Sequence, residues 1–234
     1  MDGRLDWVPT AKHSVFLPSE QLKGDTDGSR NANQVGNYRG DPDLPTNRGD
    51  HVPEQLNTSI WITGLPKDIT MSQLLDFIAA YKPGRVRSIV INEPTATNPT
   101  SAATISFFRR AAAETLFHII QEEKMIIGGM IPRVRWNRNR VMEDMTNASR
   151  VLLIGGEPQV VNAEALDRLF HKKFVWQTDV VIDHGITDSE TGPIARVEYR
   201  FGSFRSQAQF AKKCLKKELE GFAYAEYGAD PCGD

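Results

Sequence analysis

The sequence has little cysteine, no long apolar run and almost no net charge, and each shortage removes a class of protein. Its two cysteines, Cys214 and Cys232, lack the paired spacing of a zinc site and read as reduced thiols. No stretch reaches the roughly 18 uninterrupted apolar residues of a membrane span. The opening Met1-Asp2-Gly3-Arg4-Leu5-Asp6 has no apolar core of the kind a signal peptide needs. The expectation is therefore an intracellular protein, nuclear or cytoplasmic, with no membrane contact. In that setting the sequons at Asn57 and Asn147 meet no glycosylation machinery, and the Arg-Gly-Asp tripeptides at 39–41 and 48–50 are turn-rich coincidence.

Catalytic signatures are scarce as well. His13, His51, His118, His171 and His184 show no metal-ligand spacing. Asp183-His184 is an acid–imidazole neighbour pair, but adjacency along the chain does not make a dyad. No phosphate-cradling glycine loop occurs. The sequence reads as a non-enzyme without cofactor or metal.

The formal net charge of −2 conceals an uneven distribution. Residues 1–55 hold six basic and nine acidic residues, net −3; residues 56–141 hold eleven and six, net +5; residues 142–234 hold eleven and fifteen, net −4. Positive character, and with it any affinity for polyanions, belongs to the middle of the chain.

Residues 1–55 are rich in Gly, Asp, Asn, Ser and Pro, with neither helical nor strand periodicity, and are expected to be a disordered arm. Two apolar islands, Trp7-Val8-Pro9 and Val15-Phe16-Leu17-Pro18, are positions where it docks on a partner or folds back on a domain. From residue 58 the chain repeats itself. Ile60-Trp61-Ile62-Thr63-Gly64-Leu65 reads as a strand that returns as Val151-Leu152-Leu153-Ile154-Gly155-Gly156 after 91 residues, from 60 to 151. Each strand leads to a helix with a start signal: Thr70 with Gln73 as a capping box, and Asn162 as an N-cap. A second strand (87–92; 175–182), a polar loop, a third strand, a second helix (111–121; 206–219) and a last strand (132–137; 222–227) complete each copy. The order βαββαβ is the split-βαβ, ferredoxin-like motif. The expected fold class is α+β, each copy a four-stranded antiparallel sheet with two helices on one face. The segments are an arm over 1–55, a first domain over 56–141, a linker over 142–149 and a second domain over 150–234.

At this level of detail the chain resembles the RNA recognition motif (RRM) family. Ile60 to Leu65 with the following Pro66-Lys67-Asp68-Ile69-Thr70 is similar to the family's shorter motif, and Ser101 to Phe107 occupies the place of the longer one. Gly128-Gly129-Met130-Ile131-Pro132-Arg133-Val134-Arg135-Trp136 resembles the family's closing turn and strand. The likeness covers 58–137 well and 150–228 more loosely. Phe201-Gly202-Ser203 and Tyr227-Gly228-Ala229-Asp230-Pro231-Cys232 further resemble a group of filamentous-fungal RRM proteins, a likeness that implies no activity.

The resemblance implies single-stranded RNA stacked on three aromatic positions of each open sheet face. Here the first copy keeps Trp61 but carries Ala102 and Thr104, and the second carries Leu152, Arg196 and Glu198. Each stacked base is worth roughly 1–3 kcal/mol, so RNA binding is expected to be weak. Strand alternation puts Arg133 and Arg135 on the open face beside Trp61, in partial compensation. Thr63, Asn137 and Arg138 complete the expected RNA-binding set of Trp61, Thr63, Ala102, Thr104, Arg133, Arg135, Asn137 and Arg138. Arg109 and Arg110, at a helix start where the macrodipole disfavours cations, point to phosphate or to a solvated surface. Lys212, Lys213, Lys216 and Lys217 lie on a helix behind the second sheet and read as a solvated outer face. Phe222 and Tyr224 share one face of the last strand, and alternation alone leaves open which face it is. The partner expected is single-stranded RNA at the first domain, with a candidate protein partner at the second domain or the arm. The alternative is a protein-interaction module built from degenerate RRMs that bind no RNA.

Overall fold

The computed structural model describes residue 49 and residues 51–233 other than 124 and 191, so the arm expected over 1–55 lies largely outside the described residues. Its last stretch lies against the first domain. Val52 is buried, its carbonyl accepts from Arg140 at 3.0 Å, and a short 3-10 turn over Glu54–Leu56 follows.

Two similar units follow in sequence. The first comprises β1 (Ser59–Leu65), α1 (Met71–Ala79), β2 (Val86–Asn92), β3 (Ser101–Phe107), α2 (Arg110–Glu122) and β4 (Arg133–Trp136). The second comprises β5 (Val151–Gly156), α3 (Ala163–His171), β6 (Thr178–Ser189), β7 (Gly192–Phe201), α4 (Gln209–Glu218) and β8 (Ala223–Tyr227). Each sheet is antiparallel, in the orders β2-β3-β1-β4 and β6-β7-β5-β8.

The helices begin where their caps say. The Thr70 hydroxyl accepts from the Gln73 amide at 3.2 Å and the Gln73 side chain accepts from the Thr70 amide at 2.9 Å, while the Asn162 side chain accepts from the Ala165 amide at 2.9 Å. Leu74, Leu75 and Ile78 of α1 and Ala112, Ala113, Leu116 and Ile120 of α2 share one buried cluster with Ile60, Ile62, Ile89 and Ile105 of the sheet. Leu166 and Phe170 of α3 and Ala211 and Leu215 of α4 do the same with Leu152, Ile154, Val197, Tyr199 and Phe201. In each unit one sheet face carries both helices and the other is left open.

The repeat is offset by 92 residues at the core positions, from Ile60 to Leu152, not by the 91 expected from matching Ile60 to Val151. Gly64, at φ 75°, sits in a bulge between Thr63 and Leu65, and the extra residue returns Leu65 to the core. The second copy has no bulge there, so Leu152 is fully buried and Leu153, 42% exposed, is the counterpart of Trp61. β6 also runs past the expected end at Ile182. Its outer part pairs with the start of β7 as a hairpin solvated on both sides, which erases the alternation that marks a half-buried strand. The helix expected over 206–219 begins instead as a π-helical turn over Phe204–Ala208.

The units are joined by more than a tether. The segment after β7 lies along the edge of β2, where the Ile89 amide donates to the Gly202 carbonyl at 2.9 Å. A Cβ on Gly202 would stand 2.8 Å from the Met71 sulfur, so a larger residue there would have to displace the Met71 side chain. Arg150, 1% exposed, donates to Asp179 at 2.8 Å and to both carboxylate oxygens of Asp230 at 3.1 and 3.2 Å. Burial disfavours its charge, but the two carboxylates outweigh that and hold its pKa above the ordinary arginine range. The second Asp230 bond runs to the first domain, where the Val86 amide donates to Oδ2 at 2.9 Å. Two residues on, Cys232 is buried in the first domain's core, its thiol pushed up to about 12, chiefly by burial. The chain's last residues thus fasten the second domain to the first.

Candidate nucleic-acid interface

Strand register lays out the open face of the first sheet in rows. Val90, Thr104, Trp61 and Arg135 stand opposite one another across β2, β3, β1 and β4. Asn92, Ala102, Thr63 and Arg133 form the next row. In a third, Ser59 stands opposite Ser106, and Asn137 donates to the Ser59 carbonyl at 3.0 Å and to its hydroxyl at 3.1 Å. The structure therefore brings Trp61, Thr63, Ala102, Thr104, Arg133 and Arg135 onto one surface. The Asn137 side chain is engaged with β1, and Arg138 lies exposed just past the strand.

Trp61 is half-buried, and its indole N–H is shut off from solvent with no acceptor among the described residues. An unmade hydrogen bond of that kind costs about 1–3 kcal/mol. Arg133 and Arg135 are exposed, and among the described residues no carboxylate pairs with either. Val90, 46% exposed, completes the row; β2 alternation places it there, although it does not stand out among the strand's other aliphatic residues.

Other expected cations are used within the fold. Arg110 pairs with Glu114 at 2.8 Å, donates to the carbonyls of Glu54 and Asn57, and lies over the Trp136 ring at 3.4 Å. Its amide donates to the Glu143 carboxylate at 2.6 Å, so the linker supplies the negative charge that the helix start lacks. Of the two residues expected at phosphate or solvent, Arg110 is at neither. Arg140 pairs with Glu54 at 3.6 Å.

The second open face has a different chemistry. Leu153 stands between Glu198 and Glu226, and Gly155 between Arg196 and Tyr224. Leu152, expected on this face, faces the core because β5 lacks the bulge of β1. Tyr224, whose face alternation left undecided, lies against Gly155, where a Cβ would come within 2.4 Å of its ring. Glu198 accepts from Arg200 at 2.6 Å and pairs with His184 at 3.3 Å, so His184 is partnered across the hairpin and not by its neighbour Asp183.

Among the described residues no helix is long and apolar enough to cross a membrane and no group of side chains is arranged to hold a metal ion. No family model and no curated protein matches the chain. Solved structures similar to it include Sex-lethal RNA recognition domains 1 and 2 from Drosophila melanogaster, 16% identical with a TM-score of 0.29, covering 74% of this chain and 100% of that one. The first two RRM domains of the yeast poly(U)-binding protein Pub1 are 19% identical with a TM-score of 0.30, covering 73% and 99%. The third RRM of Mip6 is 19% identical with a TM-score of 0.31, covering 37% and 96%. Two successive βαββαβ units, each with the strand order 2-3-1-4 and both helices on one face, give the chain the fold of a tandem RRM protein.

Proposed function

We propose that this chain is an RNA-binding protein whose first domain holds single-stranded RNA weakly on the face formed by Trp61, Thr63, Arg133 and Arg135, the second domain being structural or protein-binding. The observation that carries this reading is the row of Trp61 and Arg135, a partly exposed indole opposite an exposed guanidinium that no carboxylate pairs among the described residues. A base stacks on the exposed part of the ring, and the arginines take the backbone phosphates. Ala102 and Thr104 provide no further stacking surface, which keeps affinity low. The second open face, where Glu198 and Glu226 flank Leu153 and Glu198 engages Arg200, offers phosphate no comparable surplus of positive charge.

NMR titration of the labelled full chain with a random pool of short RNA tests this. Shifts concentrated at Trp61, Thr63, Arg133 and Arg135, fading steeply with salt because binding releases counterions, are expected. No shift on the first open face would overturn the reading in favour of a protein-interaction module without RNA, and shifts of equal size on both faces would overturn the division of labour between the domains.

A further inference from the structure

Behind the second sheet, where α4 passes the edge strand β8, lies a groove of about 550 Å³. Its floor is largely apolar, formed by Ala223, Tyr224, Ala225 and Tyr227, and its wall carries Lys212, Lys213 and Lys216 together with one carboxylate, Glu220. No carboxylate pairs with these three lysines among the described residues, although Lys173 on α3's side of the helix is paired with Glu218 at 2.9 Å. The groove also runs along unused backbone. The Phe222 carbonyl accepts from Glu157 and the Gly228 amide donates to Val151, both toward β5. Backbone groups alternate along a strand, so those of Ala225 and Tyr227 point the other way, out of the sheet.

We propose that this groove is a docking site for an extended, acidic peptide segment of a partner protein, which adds as a strand to β8 and sets alternate acidic and apolar side chains against the lysines and the Ala225–Tyr227 floor. This deepens the reading of the second domain as protein-binding and is independent of RNA binding by the first. Three lysines that outnumber the single Glu220 above a largely apolar floor, beside an open strand edge, fit a peptide that supplies all three complements: carboxylates, side-chain methyl groups and a hydrogen-bonding backbone. RNA fits less well. Of the two rings that line the groove, Tyr227 already has Lys212 Nζ 4.4 Å from its centroid and Tyr224 lies against Gly155, so the groove offers no run of free ring faces for successive bases. A second copy of the chain would bring like-charged lysines together, the device by which sheet edges resist self-pairing.

The test is fluorescence anisotropy of the full chain with a labelled peptide of alternating valine and glutamate around a central tryptophan, beside its glutamine analogue and a labelled oligouridine. Saturable binding of the glutamate peptide is expected, weaker by about tenfold or more in the triple variant Lys212→Glu, Lys213→Glu, Lys216→Glu. Ala225→Pro, which removes one outward N–H from an edge strand that tolerates proline, is expected to weaken it several-fold. Circular dichroism checks that each variant is folded; if the proline variant is not, the lysine series decides alone. Oligouridine binding should survive the lysine reversal, since it belongs to the first domain. Absence of peptide binding, or binding indifferent to the lysine reversal, overturns the proposal. Loss of oligouridine binding on lysine reversal, without peptide binding, would make the groove a nucleic-acid surface. Self-association of the reversed variant, with no peptide bound by the native chain, would make the lysines guards of the edge and nothing more.

Discussion

On the first open face Arg133 and Arg135 lie beside Trp61 with no carboxylate paired to either among the described residues, whereas on the second Glu198 engages both Arg200 and His184, and Leu153 replaces the indole. The topology is the same and the strand register nearly so, yet one face presents uncompensated positive charge and the other neutralises its own. The lesson is that a fold supplies positions, and the side chains placed there decide whether the surface is left wanting a partner. The two units are not independent, however. Arg150, Asp179, Asp230 and Cys232 lie where they meet, and the same buried charges serve both.

The largest expected effect strikes what the units share. Arg150→Ala leaves the buried Asp230 and Asp179 carboxylates without their cation and should destabilise the protein by about 3–5 kcal/mol in denaturant unfolding. It should also open Cys232, whose thiol burial keeps protonated and inert, to alkylation at mildly alkaline pH. A loss below about 1 kcal/mol, or a thiol as unreactive as before, would mean that the domains are held mainly by other contacts.

Next in size is the contrast between the faces. Trp61→Ala should weaken binding of short RNA by about 1–3 kcal/mol. Leu153→Ala, at the equivalent position, should leave it unchanged. Equal losses in the two variants would erase the distinction drawn between the sheets.

The smallest effect compares the two first helices. Thr70→Ala and Asn162→Ala each remove a side-chain acceptor from a helix start and should each cost about 1 kcal/mol, read as a drop in thermal midpoint. The Thr70 change also dissolves a reciprocal pair with Gln73, so it should cost the more of the two. The reverse order would show that tertiary packing, not the cap, fixes where α1 begins.

Much of the fold is legible from local signals. Caps at Thr70 and Asn162, the stripes of α1 and α3, and the alternation of Val197, Tyr199 and Phe201 depend on neighbours within a turn or a strand. The first open face was legible for the same reason, since Trp61, Arg133 and Arg135 follow from parity on two strands. Parity misled once, at Leu152, because β1 has a bulge before Leu65 and β5 has none, so upstream of it residues 91 apart lie on opposite faces. The role of Arg110 was hidden because its partners Glu54, Asn57 and Glu143 are far along the chain.

By itself the sequence determined two βαββαβ units, a positive middle segment and a single indole on an open face, because periodicity, capping and charge count are properties of short windows of chain. Only the tertiary structure decided that the two units close on each other. The Phe201-Gly202-Ser203 and Asp230-Pro231-Cys232 segments carry no periodicity of their own; their meaning lies in Met71 standing close to Gly202, and in Arg150 and Val86 meeting Asp230 across 80 and 144 residues. Contacts at that separation depend on where the folded sheets bring the chain, and no local pattern announces them.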